Sequence, residues 1–131
     1  MPHLTVEYTD NLDPGADIRG LLSALCGVLI ARGDSYPIGG IRARAIRLTE
    51  YRVADGQHDD AFVHVTLRIA AGRSEEVKRA TGAELFEVLK THFEAAYAER
   101  FLALSLEVAE FGESGTFKHN NIHARYQKAP A

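Results

Sequence analysis

Hydrophobic positions alternate with polar positions in four short segments of this chain, a pattern that predicts four β-strands. The segments are residues 2–8, 41–49, 61–69 and 102–108. The alternation is strict in the third segment, where every second residue from Val63 to Ile69 is aliphatic. One face of each strand is therefore expected to lie against a core, with the other face carrying most of the polar side chains.

A first helix is predicted between the first two strands. Asp13 has the character of an N-cap, and Pro14 follows it at the position where proline suits the first helical turn. Arg32 supplies a cation for the last turn, and Gly33 is expected as the residue that ends the helix. The apolar residues that recur at helical spacing are Ile18, Leu21, Leu22, Leu25, Val28 and Leu29.

A second, longer helix is predicted between the last two strands. Gly72 is expected to break the preceding strand, and Ser74 is a good N-cap. Glu75 and Glu76 then fall in the first turn, where carboxylates interact favourably with the helix dipole. The apolar residues that mark one amphipathic helix are Val77, Leu85, Phe86, Leu89, Phe93, Ala96 and Tyr97.

The order of these elements predicts an α/β fold in one domain that spans residues 1–131. Each helix lies between two strands, which gives two βαβ units and a mainly parallel four-stranded sheet with both helices on one face. The pseudo-repeat halves cover about 2–50 and 61–110, a polar loop at 55–60 separates them, and 111–131 forms a C-terminal interface tail. Such a sheet leaves more open edge and apolar face than a monomer should expose, so an oligomer is expected.

Composition excludes several classes of function. The chain has 131 residues and a net charge of −3 without a basic block, so nucleic acid is not expected as a partner. It has neither a long apolar run nor a signal-peptide pattern, so no membrane association is expected. Its one cysteine, Cys26, lies in an apolar helical pattern, which fits a core residue in a reduced cytoplasmic protein better than a nucleophile.

Pro2 is the most informative candidate for chemistry. If Met1 is removed, Pro2 becomes the amino terminus and carries a free secondary amine on a rigid ring. An α-amino group has a pKa of about 7.7–8.0 in model peptides, and burial lowers that value. A nitrogen base that titrates near neutrality suits proton transfer to and from carbon.

The other titratable groups give weaker signals. His119 and His123 are four residues apart, but a metal site needs at least three protein ligands, so interface hydrogen bonding is the preferred interpretation. His58 and its acidic neighbours are expected in a solvated loop. His3 and His64 alternate out of their strands and are left without an assigned role.

Eight segments, in order and spanning nearly the whole chain, carry a resemblance to a known family. They are residues 1–3, 40–44, 54–59, 61–67, 71–74, 89–93, 102–105 and 120–124. The N-terminal proline and the strand-Gly-Arg-Ser-helix junction at 69–74 resemble the tautomerase superfamily. The ordered set is similar, within it, to the 5-carboxymethyl-2-hydroxymuconate Δ-isomerase family.

This resemblance implies a cofactor-independent isomerase of the homoprotocatechuate (4-hydroxyphenylacetate) degradation route, without a metal. Its substrate would be a dicarboxylate or tricarboxylate dienol. Pro2 would move a proton from the 2-hydroxyl to C5, and Arg42 and Arg73 would bind the substrate carboxylates and stabilise charge near the C2 oxygen. Arginine suits this role because its planar fork binds carboxylates in bidentate fashion. The resemblance also implies a homotrimer.

Two alternatives to this function stay open from the sequence. One is a different tautomerase-superfamily activity on another dienol or on an unsaturated acid. The other is a catalytically silent trimeric scaffold on the same fold. The chain departs from the family pattern at Ser35, Tyr36 and Gly39 and in the tail at 127–131, and the loop change bears on substrate preference more than on reaction type.

Overall fold

Four strands form one sheet in the computed structural model of the protein, which describes residues 1–127. The strands are β1 (His3–Thr9), β2 (Arg42–Leu48), β3 (Ala61–Ala70) and β4 (Leu102–Phe111). The helices are α1 (Ile18–Ala31), α2 (Glu75–His92) and α3 (Glu94–Glu99). Short 3₁₀ turns lie at Asp10–Leu12, Ile38–Gly40, Glu113–Gly115 and Ile122–Tyr126.

The sheet has the strand order β2-β1-β3-β4. β1 pairs with β2 in parallel, and β3 pairs with β4 in parallel, so each half of the chain is a βαβ unit as predicted. The two halves join through an antiparallel pairing of β1 with β3, in which Val6 lies opposite Val65. The mainly parallel four-stranded sheet predicted from the sequence is therefore confirmed.

The hydrophobic core lies between one face of the sheet and the two long helices. Leu4 and Val6 of β1 are fully buried and meet Leu67 and Val65 across the antiparallel pair. The alternation in the sequence predicted this face, because residues two apart on a strand point the same way. The buried helix residues that cover it are Leu21, Leu25, Val28, Leu29, Leu85 and Leu89.

The start of α1 differs from the prediction. Asp13 is the extended residue that ends a 3₁₀ turn, so it does not start the helix, and the bond between it and Pro14 is cis. α1 begins four residues later, after Asp17, whose carboxylate accepts a hydrogen bond from the N–H of Gly20 at 3.2 Å. Asp17 supplies the type of side chain that the prediction assigned to Asp13, so the chemistry of the cap was right and its position was wrong.

The second predicted helix is confirmed at its start and wrong at its end. The Ser74 hydroxyl accepts a hydrogen bond from the N–H of Val77 at 3.1 Å, which is the expected N-cap. The helix then stops at Phe93, and α3 continues as a separate short helix. Phe93 is 3 % exposed, whereas Tyr97 is 63 % exposed, so the apolar pattern beyond the break does not mark a buried face.

The other face of the sheet carries no helix in the described part of the chain. It presents mainly polar side chains, including His3, Arg44, His64 and Arg68, as the alternation along the strands predicted and unlike the apolar face from which an oligomer was expected. β2 and β4 form the two edges of the sheet. Within residues 1–127, no helix has the length and apolar character needed to cross a membrane.

Candidate active site

Pro2 lies buried at the start of β1, where it is bonded to the neighbouring strand. Its carbonyl oxygen accepts a hydrogen bond from the backbone N–H of Arg42 at 3.0 Å. Because His3 pairs with Arg42 in the parallel register, the N-terminus and the start of β2 lie side by side. Met1 precedes Pro2 in this structure, so the Pro2 nitrogen is an amide here and becomes an amine only when Met1 is removed.

The glycine turn at Ile38–Gly40 packs against both the N-terminus and the C-terminal 3₁₀ turn. A Cβ atom on Gly39 would lie 2.7 Å from the Cα of His123, a distance that real Cβ atoms do not show. A Cβ on Gly40 would lie 3.5 Å from the Cα of Met1. The turn is therefore held between the N-terminus and the C-terminal 3₁₀ turn, and a side chain at position 39 would push the tail away.

The Arg42 side chain turns back toward this glycine turn. One of its terminal nitrogens donates to the carbonyls of Gly39 at 3.1 Å and Ile41 at 3.2 Å. The other terminal nitrogen lies 3.8 Å from the Sδ of Met1. Half of the guanidinium is thus fixed by the backbone, and the other half faces the residue that must leave before Pro2 can act as a base.

Arg73 is fixed at the junction between β3 and α2. Its Nε and one terminal nitrogen donate to the carbonyl of Ser35 at 3.0 and 2.6 Å, and the other terminal nitrogen donates to the carbonyl of Ala70 at 3.2 Å. The guanidinium lies 4.6 Å above the ring of Tyr36, which is fully buried. Ser35 and Tyr36, which were expected to bear on substrate preference, therefore hold this arginine in place.

The charges of the two predicted arginines affect the pKa of the N-terminal amine. The pKa of the Met1 α-amino group is lowered, first by burial and then by the positive charges of Lys118, Arg73 and Arg42. These three cations come from the tail, from the second half of the chain and from β2. Arg42 and Arg73, although far apart in sequence, therefore both lower the pKa of the N-terminal amine.

A cationic cleft of about 470 Å³ opens beside Met1 on the uncovered face of the sheet. His3, Arg44, Arg68 and Lys118 line it, and its lining contains no carboxylate. The Nδ1 atom of His3 lies 3.1 Å from a terminal nitrogen of Arg44. The pKa of His3 is lowered by burial first and by the surrounding cations next, which favours the neutral imidazole that can accept from the guanidinium.

The remaining candidates lie elsewhere or have structural contacts. His123 packs on Gly39, and the Nδ1 atom of His64 lies 2.7 Å from the hydroxyl of Ser105 on β4. Cys26 is half-buried against the core, and burial raises the pKa of its thiol. Among residues 1–127, no group of three or more histidine, cysteine, aspartate or glutamate side chains is arranged to hold a metal ion.

Two polar residues near Pro2 were missed by the sequence interpretation. The positive charge of Lys118 lowers the pKa of the N-terminal amine, and Asn120 donates a hydrogen bond to the carbonyl of Gly39 at 2.9 Å. Both belong to the tail, which was expected to serve a subunit interface. The resemblance did include residues 120–124, so a signal existed, but nothing in that segment indicated that it folds back on its own N-terminus.

The arrangement of the sheet and helices is that of the tautomerase superfamily. A solved symmetric trimer of fused 4-OT, a protein of that superfamily, matches with a TM-score of 0.61 at 19% identity, covering 93% of this chain and 98% of the other. At this level of identity the match defines the fold alone.

Closer relatives define the family. The model of the 5-carboxymethyl-2-hydroxymuconate isomerase family matches residues 2–126. A 5-carboxymethyl-2-hydroxymuconate Delta-isomerase from Escherichia coli is 46% identical over 127 residues, which is 97% of this chain and all of the relative. The crystal structure of a 5-carboxymethyl-2-hydroxymuconate isomerase from Deinococcus radiodurans R1 is 62% identical, with a TM-score of 0.94 over 97% of this chain and 95% of the other. The chain belongs to the 5-carboxymethyl-2-hydroxymuconate isomerase family.

Proposed function

We propose that the protein isomerises 5-carboxymethyl-2-hydroxymuconate to its 2-oxo-3-ene isomer, within the degradation of homoprotocatechuate. The observation that carries the proposal is that two arginines, each held by backbone carbonyls, both lower the pKa of the N-terminal amine, in a chain that belongs to a family named for this reaction. The substrate is a conjugated dienol with carboxylates. Both arginines suit such an anion, and the conjugated system itself delocalises the charge that develops.

The proposed base is the Pro2 amine after removal of Met1. It takes the proton of the 2-hydroxyl, the C2–O bond becomes a carbonyl, and the double bonds move so that C5 becomes basic. The protonated amine then delivers the proton to C5, which leaves a C3–C4 double bond and no net change in atoms. The lowered pKa of the neighbouring Met1 amino group supports this role, because the same burial and cations would keep the Pro2 amine neutral.

Arg42 and Arg73 are proposed to bind the substrate carboxylates and the charge near C2. One terminal nitrogen of Arg42 and all three nitrogens of Arg73 donate to backbone carbonyls, so both guanidinium groups are oriented before the substrate arrives. Such preorganisation matters because donors already aimed at developing charge need no reorganisation during the reaction.

The test follows the ultraviolet absorbance of the dienol in the presence of purified protein. The N-terminal peptide mass is measured first, so that samples with and without Met1 are defined. The processed wild type should isomerise the dienol, and Pro2→Ala should lose about 10²–10⁴-fold in rate, the scale of positioned acid–base catalysis. Full activity in a sample that retains Met1 would refute Pro2 as the base.

We also propose that the chain assembles as a homotrimer in the cytoplasm. The uncovered face and the two edge strands provide surfaces for other copies, and the fused 4-OT relative is a symmetric trimer. Light scattering at micromolar concentration should give three times the mass of the 14.4 kDa chain. A monomeric mass under these conditions would contradict the assembly while leaving the isomerase proposal open to its own assay.

A further inference from the structure

Two N–H donors meet at the sulfur atom of Met1. The Nη2 atom of Arg42 lies 3.8 Å from Sδ, and the Nδ2 atom of Asn120 lies 3.6 Å from it. Thioether sulfur is a weak acceptor, so this point offers far better binding to an oxygen that carries negative charge. The sulfur belongs to the residue bonded to the Pro2 nitrogen, so the meeting point lies close to the proposed base.

The orientation of the Asn120 amide is determined by its bonds. Its Oδ1 accepts from the N–H of Ile122 at 2.7 Å, which leaves Nδ2 as the group that faces Met1. The same Nδ2 also donates to the carbonyl of Gly39 at 2.9 Å. A flipped amide would place an oxygen against that carbonyl, so the donor side is fixed toward Met1.

Arg42 and Asn120 share one anchor. Both donate to the carbonyl of Gly39, the arginine at 3.1 Å and the asparagine at 2.9 Å. Gly39 itself has no room for a side chain, so this carbonyl is held by close packing against His123. The two donors are therefore fixed relative to each other by one shared acceptor. Two fixed donors aimed at one atom, and not at the two oxygens of a carboxylate, have the geometry of an oxyanion site.

We propose that Asn120 is a further catalytic residue, which together with Arg42 holds the C2 oxygen of the dienol after Met1 has left. This inference rests on the proposed isomerase function. The C2 oxygen loses its proton to Pro2, so it must lie beside that nitrogen and it gains negative charge in the transition state. Asn120 contributes a neutral donor that stabilises this charge without competing for the proton.

Kinetics of Asn120→Ala and Asn120→Asp, in processed protein, test the proposal. Asn120→Ala should lower kcat by about 10²-fold with little change in KM, the scale for the loss of one oxyanion donor. Asn120→Asp should be at least as slow, because it places a carboxylate where the charge develops. Asn121→Ala is the matched control: Asn121 is the exposed neighbour of Asn120, and its variant should keep wild-type kcat.

A pair of unreactive ligands separates catalysis from structural support of the tail. Adipate has the C1 and C6 carboxylates of the substrate without an oxygen at C2, and 2-hydroxyadipate adds that oxygen. Calorimetry should show that wild type binds 2-hydroxyadipate about 3- to 10-fold more tightly than adipate, as expected for one net hydrogen bond. Asn120→Ala should lose this preference and keep its affinity for adipate.

The outcomes distinguish this inference from the proposed function. If wild type does not isomerise the dienol, the isomerase proposal fails, and the ligand pair still reports on the oxygen site. If wild type is active and Asn120→Ala keeps wild-type kcat, the inference is wrong. It is also overturned if Asn120→Ala loses affinity for both ligands equally, because the residue would then only support the tail.

Discussion

Replacement of Arg73 should affect both the stability of the fold and the rate of isomerisation, and the structure allows the two effects to be separated. The guanidinium joins the loop at Ser35 to the end of β3 through bonds to two carbonyls, and it stacks on Tyr36. Arg73→Ala removes all of these contacts at once. Arg73→Lys keeps a positive charge but loses the planar fork.

The expected loss of stability follows from these contacts. Hydrogen bonds to a charged group contribute about 1.5–3 kcal/mol each, and a partly exposed cation–π contact about 0.5–1 kcal/mol. Arg73 is half-buried, so water replaces part of what is lost. We therefore expect Arg73→Ala to lower the free energy of unfolding by about 2–4 kcal/mol, and Arg73→Lys to recover about half, since an ammonium cannot reach both carbonyls in the same geometry.

Urea denaturation measures the first effect, and kcat/KM below the transition measures the second. In the folded variant, kcat/KM should fall by about 30- to 1,000-fold, which corresponds to about 2–4 kcal/mol of transition-state stabilisation. A substrate ester that lacks the carboxylate held by Arg73 should react equally slowly with wild type and with Arg73→Ala. An unchanged urea midpoint would refute the anchoring of the loop, and a further full penalty on every monoester would refute carboxylate binding.

Three further predictions test neighbouring features. Arg42→Ala should lower kcat/KM by about 2–4 kcal/mol, whereas Arg47→Ala, on the opposite face of β2, should be nearly neutral in the same assay. Lys118→Gln should move the acid limb of the pH–rate profile to higher pH, because loss of a cation raises the pKa of the N-terminal amine and only the neutral amine acts as base. Thr81→Val should destabilise the fold by about 1–3 kcal/mol, since the buried hydroxyl of Tyr36 loses its partner at 2.9 Å; Tyr36→Phe in the same background should recover part of this loss in urea denaturation.

The sheet was predictable because its signal is periodic and local. Leu4 and Val6, and their partners Val65 and Leu67, are buried as the alternation requires. The same rule places Arg42 and Arg44 on one face of β2 and Arg47 on the other, and the register agrees, since Arg42 lies opposite His3 and Arg47 opposite Tyr8. The antiparallel pairing of the two halves was not predicted, because periodicity alone does not determine which strands pair.

The helix ends were less predictable because a cap depends on backbone conformation as well as residue type. Asp13 and Asp17 offer the same side chain, and Pro14 favours the first of them. The structure uses Asp17, which has a left-handed backbone with a φ of 45°. Few residues adopt that region, although aspartate does so more readily than most. Local sequence therefore identified the chemistry of the cap, and tertiary packing selected the position.

In the candidate site, too, the sequence indicated residue types but not their contacts. Pro2 was identified from the sequence as a possible N-terminal base, whereas Arg42 and Arg73 were selected only through a family resemblance, because single arginines carry almost no signal alone. Their partners were not found, because those partners are backbone carbonyls at Gly39, Ser35 and Ala70, and every residue has a carbonyl. Only the fold determines which carbonyls approach a guanidinium. Asn120 was missed for the same reason. It is 119 residues from Met1 in sequence, and it lies beside Met1 only because the tail folds back onto the glycine turn that packs against the N-terminus.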